Sequence, residues 1–317
     1  MNLLAFCKTE KLRPLFPIVN ENRLRFQAAP PFDPEPRPLE KTGAQGYNLP
    51  NMQPGAIRIL SVPVTPYLLF YALGLILGAM LIAWLAHRER LDKVETAAYL
   101  LLGMVSGLLG SRLLPALLDL LTAPAGHAAA PSLLREYMAS GGSFFGAVSA
   151  TLLFAYFYGR FYFPNSYRQL WDISVIGIAL GHGVGRLGCF TAGCCYGTPT
   201  RLPWGVHFTT LGDLPHPLAG VPLHPVQLYE AAWCLALSLL LLRLWRRRRF
   251  PGEVFALYLA GYGLIRFLLE FLRWHHAGEL AWPGGPSWYQ VASLALILAG
   301  RIAWLRFGKT GNRGQTG

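Results

Sequence analysis

A cluster of cysteines near the middle of the chain is the first group of residues that could do chemistry. The segment 185–197 (GRLGCFTAGCCYG) holds Cys189, Cys194 and Cys195, three of the five cysteines in the sequence. Three roles are open: ligands of a metal such as zinc, a redox pair, or small apolar residues in a tight glycine-rich turn. The spacing fits zinc and redox motifs poorly, so it favours the third role. A bridge from Cys189 to Cys194 or Cys195 stays open, because an exported loop is oxidising.

Two arginines lie inside segments that are otherwise apolar. Arg186 follows GHGVG, and Arg266 lies in YLAGYGLIRFLLEFLR with Glu270 and Tyr262 one turn away on the same helix face. An ionisable group inside a membrane helix costs about 2.5–3.5 kcal/mol and normally faces a partner or a cavity. Arginine matches phosphate with two hydrogen bonds, and glycines such as Gly185 let a ligand approach closely. The two arginines therefore predict binding of a shared anion, a phospholipid headgroup. The alternatives are snorkelling for Arg186 and an internal ion pair for Arg266.

Two further segments carry polar or small residues at the ends of apolar runs. LHPVQLYEA contains His224 and Gln227, and the histidine could be a general base, a ligand or a capping residue. SGGSFFGA contains Gly142 and Gly146, and such residues permit either close helix packing or a cavity. The residue types alone do not choose between these roles.

Composition places all of these segments in a membrane. Of 317 residues, 53% are hydrophobic and 14% are charged, whereas soluble domains are about 25% charged. Several apolar runs approach the ~20 residues that a helix needs to span a bilayer. The sequence therefore predicts an all-α polytopic integral membrane protein with about seven transmembrane helices. Their predicted bounds are 67–86, 97–121, 138–163, 170–190, 226–245, 253–272 and 287–306.

Basic residues in the short loops predict the orientation of the chain. The loops 87–93, 159–169 and 246–249 and the C-terminal tail fall on one side and are rich in arginine, whereas the opposite loops hold few basic residues. By the positive-inside rule the N-terminus is outside and the C-terminus is cytoplasmic. The long loop 191–225 then lies outside. The run RLWRRRRF would face lipid phosphates, so the formal charge of +12 does not predict a nucleic-acid partner.

The N-terminal residues 1–62 differ in kind from the rest. They are rich in proline and charge and lack an apolar periodicity, which predicts a disordered extension. Met52 is an alternative start, because it would remove seven of the eight Lys and Arg residues that would otherwise be exported. The predicted domains are this extension, a transmembrane domain at 63–308 and a cytoplasmic tail at 309–317.

Five motifs, in order from Tyr67 to about Trp304, resemble those of the bacterial prolipoprotein diacylglyceryl transferase family. The matching segments are PYLLFYALG, GGSFFGA, GRLGCFTAGCCYG, HPVQLYEA and GYGLIRFLLEFLR. Two features depart from the family pattern. Phe145 replaces the common third-span histidine, and Cys189 and Cys194 stand where better-known members have Asn and Glu. The chain therefore resembles a divergent Gly-Cys-Cys-Tyr-Gly branch.

The resemblance implies a reaction, its partners and a location. Members of the family transfer the diacylglyceryl group of phosphatidylglycerol to the thiol of the lipobox cysteine of prolipoproteins, and release glycerol-1-phosphate. They do so in the bacterial cytoplasmic (inner) membrane, and neither a metal nor another cofactor is implied. Two alternatives stay open: a lipid-binding paralogue with altered chemistry, and a membrane thiol oxidoreductase that uses the cysteine cluster.

The resemblance and the segments above together predict the site residues. Arg186 and Arg266 are the predicted catalytic residues. With Phe145 unable to move a proton, His182, His224 or the field of the arginines would activate the substrate thiol. The predicted substrate-binding residues are Tyr67, Gly142, Gly146, Gly185, Cys189, Gly197, His224, Gln227, Tyr262 and Glu270.

Overall fold

Helices dominate the part of the chain that the computed structural model describes, which is residues 57–59, 62–122, 144–208, 218, 220–274 and 285–313. The helices are α1 (Pro66–Arg88), α2 (Lys93–Thr122), α3 (Phe144–Tyr162), α4 (Tyr167–Thr191), α5 (Val226–Trp245), α6 (Glu253–Glu270) and α7 (Trp288–Arg313). Each coincides with a predicted apolar segment to within a few residues, apart from the C-terminal end of α7, which extends beyond the predicted bound. Residues 138–143 of the third predicted segment lie outside the described residues.

Five of the described helices are long and apolar enough to cross a membrane: α1, α2, α4, α5 and α7. Large apolar side chains such as Ile76, Met80 and Leu298 are exposed on them, where lipid would cover the surface. The chain is therefore a multi-pass membrane protein. Helices α3 and α6 have 19 and 18 residues, and α6 carries three charged residues. The count of seven spans stays a prediction.

Glycines bring α1 and α4 into backbone contact. A Cβ atom on Gly74 would lie 2.5 Å from the carbonyl oxygen of Gly181, and one on Gly78 would lie 2.8 Å from that of Gly177. Small residues at these positions allow the two backbones to approach each other, and such close packing is a main source of helix association in membranes. The contact continues to the end of α4, where the carbonyl oxygen of Tyr67 lies 3.0 Å from the Cβ position of Gly188. The start of α1 is thereby fixed beside the end of α4.

At the opposite end of the bundle, Asp172 of α4 anchors the first turn of α6. Its carboxylate accepts the backbone N–H groups of Gly252 and Phe255, both at 2.8 Å. The basic run contributes here as well, because Arg248 forms an ion pair with Glu89 at 2.7 Å. The sequence predicts that this run faces lipid phosphates, and in the structure part of it also ties helices together.

Two short antiparallel sheets accompany the helices. Strand β1 (Ile57–Ile59) pairs with β2 (Val62–Val64), and β3 (Val206–His207) pairs with β4 (Pro222–Leu223). Strand β1 lies inside the extension predicted to be disordered, and its alternating β-branched residues favour an extended conformation. Residues 1–56, including Met52, lie outside the described residues. At the other end of the chain, α7 continues past position 308 to Arg313.

The packing of α1 on α4 predicts a difference between two glycine-to-alanine substitutions. Gly74→Ala would place a methyl group against a backbone carbonyl, and we expect it to lower the free energy of unfolding by about 1–3 kcal/mol. Gly103→Ala on α2 is the matched control, because the nearest atom would be a Phe154 side-chain carbon at 3.5 Å. Thermal unfolding in detergent measures both. Equal shifts in the melting temperature would contradict the proposed helix contact.

Candidate active site

The carboxylate of Glu230, near the start of α5, joins three side chains from two other helices. Its Oε1 atom accepts a hydrogen bond from Arg186 Nη2 at 2.9 Å and from the Tyr262 hydroxyl at 3.5 Å, and it lies 3.4 Å from His182 Nε2. Glu230 is only 1% exposed. A buried carboxylate is costly unless charges and hydrogen bonds replace its water. Helices α4 and α6 supply both at this position.

Helix periodicity explains how these groups meet. His182 and Arg186 are four residues apart on α4 and therefore share one face of the helix. Gln227 and Glu230 are three residues apart on α5. Gln227 Nε2 donates to the carbonyl oxygen of Cys194 at 2.7 Å. One face of α5 thus holds both the arginine and the turn that follows α4.

Arg186 retains a hydrogen-bond donor that no described residue satisfies. Its Nη2 atom bonds Glu230 and its Nη1 atom lies 3.8 Å from Cys189 Sγ, but its buried Nε atom has no partner among the described residues. A Cβ atom on the adjacent Gly185 would meet nothing within 4 Å. A buried donor without a partner is rare in proteins. A buried cationic donor without a protein partner is suited to an anionic acceptor.

Arg266 has a carboxylate of its own. It forms an ion pair with Glu270, which also accepts a hydrogen bond from Ser287 Oγ at 2.8 Å. The Arg266 guanidinium carbon lies 4.8 Å from the centre of the Tyr289 ring. The internal ion pair considered for Arg266 is therefore present. Its charge also acts on Glu230, as that of Arg186 does. The two arginines belong to one electrostatic cluster, and their shared grip on one anion stays a prediction.

The loop after α4 is held by backbone hydrogen bonds around Gly197. The N–H of Gly197 donates to the carbonyl oxygen of His224 at 2.9 Å, and a Cβ atom there would lie 2.6 Å from Leu272 O. The His224 ring contacts the Tyr229 hydroxyl at 3.4 Å. Of the two histidines considered for proton transfer, His182 contacts Glu230 and His224 does not. Gly197 serves close backbone packing.

The remaining predicted site residues have different surroundings. Tyr67 lies in the first turn of α1, where its backbone packs on Gly188. Gly146 packs against Gly110 of α2, so its position is that of a helix contact. Gly142 lies outside the described residues. These observations associate Tyr67 with the site end of the bundle and give Gly146 a packing role.

The three clustered cysteines are thiols, and their sulfur atoms lie within 4.8 Å of one another. The turn that joins them places Gly193 and Cys195 at positive φ, 66° and 61°. Hydrogen bonds from the Cys189 and Cys194 thiols, together with the nearby charge of Arg273, lower the pKa of the Cys195 thiol well below its usual range. The cluster is therefore held in one place rather than scattered along the loop.

Sequence reasoning did not single out Glu230 as a site residue, although it is the group on which the cluster converges. The signal was present, because an acidic residue in an apolar helix needs a partner. His182 was considered only as one of several thiol activators. The roles of Ser287 and Tyr289 around Arg266 depend on how α7 packs on α6, and no local pattern indicates them.

The membrane-crossing helices and the buried arginine–carboxylate–histidine cluster define a multi-pass membrane protein with a polar site inside one end of its bundle. The sequence model of a family described as "Prolipoprotein diacylglyceryl transferase" matches residues 54–306. This match covers well over half of the chain. The chain belongs to the prolipoprotein diacylglyceryl transferase family, as the resemblance of its motifs predicts.

Curated relatives agree with this assignment. A phosphatidylglycerol–prolipoprotein diacylglyceryl transferase of Geobacter sulfurreducens is 34% identical over 258 residues, which cover 79% of this chain and 94% of the relative. The enzyme of that name from Pseudomonas savastanoi is 32% identical over 272 residues, 81% and 94% of the two chains. That of Clostridium tetani is 30% identical over 230 residues, 73% and 89%.

A double-mutant cycle tests the central ion pair. Arg186→Gln or Glu230→Gln alone leaves a buried charge without its partner, and we expect each to cost about 3–5 kcal/mol in unfolding free energy. The double variant should cost less than the sum, with a coupling energy of about 1–3 kcal/mol.

The pair Arg249 and Glu253 is the control for this cycle. The Arg249 side chain is 66% exposed and that of Glu253 is 8% exposed, so solvent reaches the pair from the arginine side and we expect a coupling energy of at most about 1 kcal/mol there. Chemical unfolding in detergent gives both values. A coupling at Arg186 and Glu230 no larger than in the control would contradict the buried pair.

Proposed function

We propose that this chain transfers the diacylglyceryl group of phosphatidylglycerol to the thiol of the lipobox cysteine of prolipoproteins, with release of glycerol-1-phosphate. Family membership and the names of the relatives support this reaction over a thiol oxidoreductase or a lipid-binding paralogue. The observation that carries the site is the unsatisfied Nε donor of Arg186 in the buried cluster around Glu230.

Arg186 binds the lipid phosphate in this proposal. When the bond between the glyceryl C3 carbon and the phosphate oxygen breaks, negative charge develops on the leaving phosphate. A donor fixed in a site of low dielectric stabilises that charge without reorganisation. Glu230 holds the guanidinium in place through Nη2, which leaves Nε for the substrate. Arg266 contributes its field from its ion pair with Glu270, and Tyr67, Cys189 and Gln227 shape the surroundings of Arg186.

His182 accepts the proton of the substrate thiol. Its Nε2 atom faces Glu230, so a carboxylate fixes the tautomer with the proton on Nε2 and leaves Nδ1 as an acceptor. Nδ1 has no hydrogen-bond partner among the described residues, and the side chain is 21% exposed. A free thiol with a pKa near 8.5 needs only modest activation. The thiolate then forms the carbon–sulfur bond as the carbon–oxygen bond breaks, and the electron pair leaves with the phosphate.

The proposed orientation places this site at the outer face of the membrane. The starts of α1, α5 and α7 and the ends of α4 and α6 lie at the site end, whereas the run 246–249 lies at the other end. By the positive-inside rule the site end is periplasmic in the bacterial inner membrane, with seven spans, the N-terminus outside and the C-terminus inside. Lipobox cysteines of exported proteins reach that face.

Release of glycerol phosphate from phosphatidylglycerol and a lipobox peptide tests the proposed reaction. We expect the purified chain to release it in a peptide-dependent manner. Arg186→Gln should lower the rate by about 10²–10³-fold, because it removes a donor to the developing charge. Arg201→Gln, a change at an exposed loop residue, is the control and should retain the rate. No release by the unmodified chain would refute the proposed reaction.

A selenocysteine peptide tests the role of His182 separately. A selenol is more acidic than a thiol and is ionised without a base. His182→Gln should therefore slow transfer to the cysteine peptide by about 10²-fold or more, and slow transfer to the selenocysteine peptide far less. His207→Gln, which changes an exposed histidine bound to Gly220 O, is the control. Equal losses on both peptides would show that His182 acts on structure or lipid binding instead.

A further inference from the structure

The three-thiol cluster is the feature that the proposed transfer reaction does not use as a unit. Cys189 belongs to the last turn of α4, and Cys194 and Cys195 lie in the turn that follows. Their sulfur atoms all lie within 4.8 Å of one another. Because a metal–thiolate bond is about 2.3 Å long, three sulfur ligands of one metal ion lie somewhat closer together than this. A small adjustment of the side chains would bring the three sulfur atoms to that separation.

The backbone of this turn is fixed in a way that a small apolar filler would not require. The N–H of Cys194 donates to the carbonyl oxygen of Cys189 at 3.2 Å, and Gln227 holds the Cys194 carbonyl at 2.7 Å. Cys195 adopts φ 61°, in the left-handed region that non-glycine residues seldom occupy. Such local strain persists where the surrounding structure imposes it, and it is common at ligand-binding sites.

The donor set indicates the class of ion. All three candidate ligands are sulfur atoms, and no described histidine or carboxylate joins the group within the same reach. Zinc normally takes four protein ligands in a closed site, whereas soft thiolate donors also select copper(I). We propose that Cys189, Cys194 and Cys195 bind one soft monovalent metal ion of the copper(I) class.

Binding forms three metal–sulfur bonds and releases to solvent each proton that the three sulfur atoms still carry. The resulting group, one cation with three thiolates, carries two negative charges. Arg186 and Arg273 both act electrostatically on Cys195 and offset that charge. Because Arg186 Nη1 also contacts Cys189 Sγ, the ion would fasten the end of α4 and the following turn beside the guanidinium.

Anaerobic titration of the full-length chain in detergent with copper(I), against a chromophoric copper(I) chelator, tests this site. We expect one tightly bound ion per chain and three sulfur neighbours by X-ray absorption. Cys189→Ser and Cys195→Ser should each weaken the affinity by at least about 100-fold. Cys234→Ser is the matched control, because that thiol is buried on α5 outside the cluster, and its affinity should be unchanged.

Size-exclusion profiles and melting temperatures of the metal-free variants show whether each one is folded. Cys194→Ser provides a third variant if one of the others fails to fold. Binding that survives in every folded cluster variant, equal loss in Cys234→Ser, or no binding by the unmodified chain would each overturn the proposal. Tight binding of zinc with no binding of copper(I) would overturn the assigned ion. None of these outcomes depends on glycerol phosphate release, so this proposal and the proposed reaction fail independently.

Discussion

The burial of the Glu230 carboxylate is the interaction on which the rest of the site depends. In a membrane bundle an isolated carboxylate would be costly, and its charge is stable only when opposite charge and hydrogen-bond donors surround it. Arg186 and His182 from α4 and Tyr262 from α6 meet that need on a single oxygen atom. The three helices must therefore meet at the same depth, and each must be rotated so that its polar side chain faces the other two. The same contacts orient the arginine and the histidine to which we assign the chemistry.

The remainder of the bundle keeps these three helices in register. The glycine contact between α1 and α4 sets the height of Tyr67 beside the end of α4. At the other end, Asp172 caps the start of α6, so α6 cannot slide along α4 without losing two hydrogen bonds to a buried carboxylate. Gln227 then ties the cysteine turn to α5. A polar site inside the bundle is thus supported from both of its ends.

The helices could be predicted from the sequence because apolar runs are a local signal. It could also be predicted that Arg186 and Arg266 have partners, since a charge in an apolar run requires one. The identity of the partner of Arg186 could not be predicted from the sequence. Glu230 lies 44 residues away in sequence, and the pairing depends on how α4 and α5 rotate against each other. The same limit explains why Gly146 serves as a helix contact, why Arg248 pairs with Glu89, and why Arg266 has its own carboxylate.

The central claim is that Arg186, held by Glu230, presents its Nε donor to the phosphate of the lipid substrate. An electron cryo-microscopy structure of the chain in nanodiscs that contain phosphatidylglycerol tests it directly, through the distance between Arg186 Nε and the nearest phosphate oxygen. We predict a hydrogen bond between these atoms, with the contact between Arg186 Nη2 and Glu230 retained. A headgroup bound elsewhere, with Arg186 Nε bonded to a protein acceptor, would contradict the account.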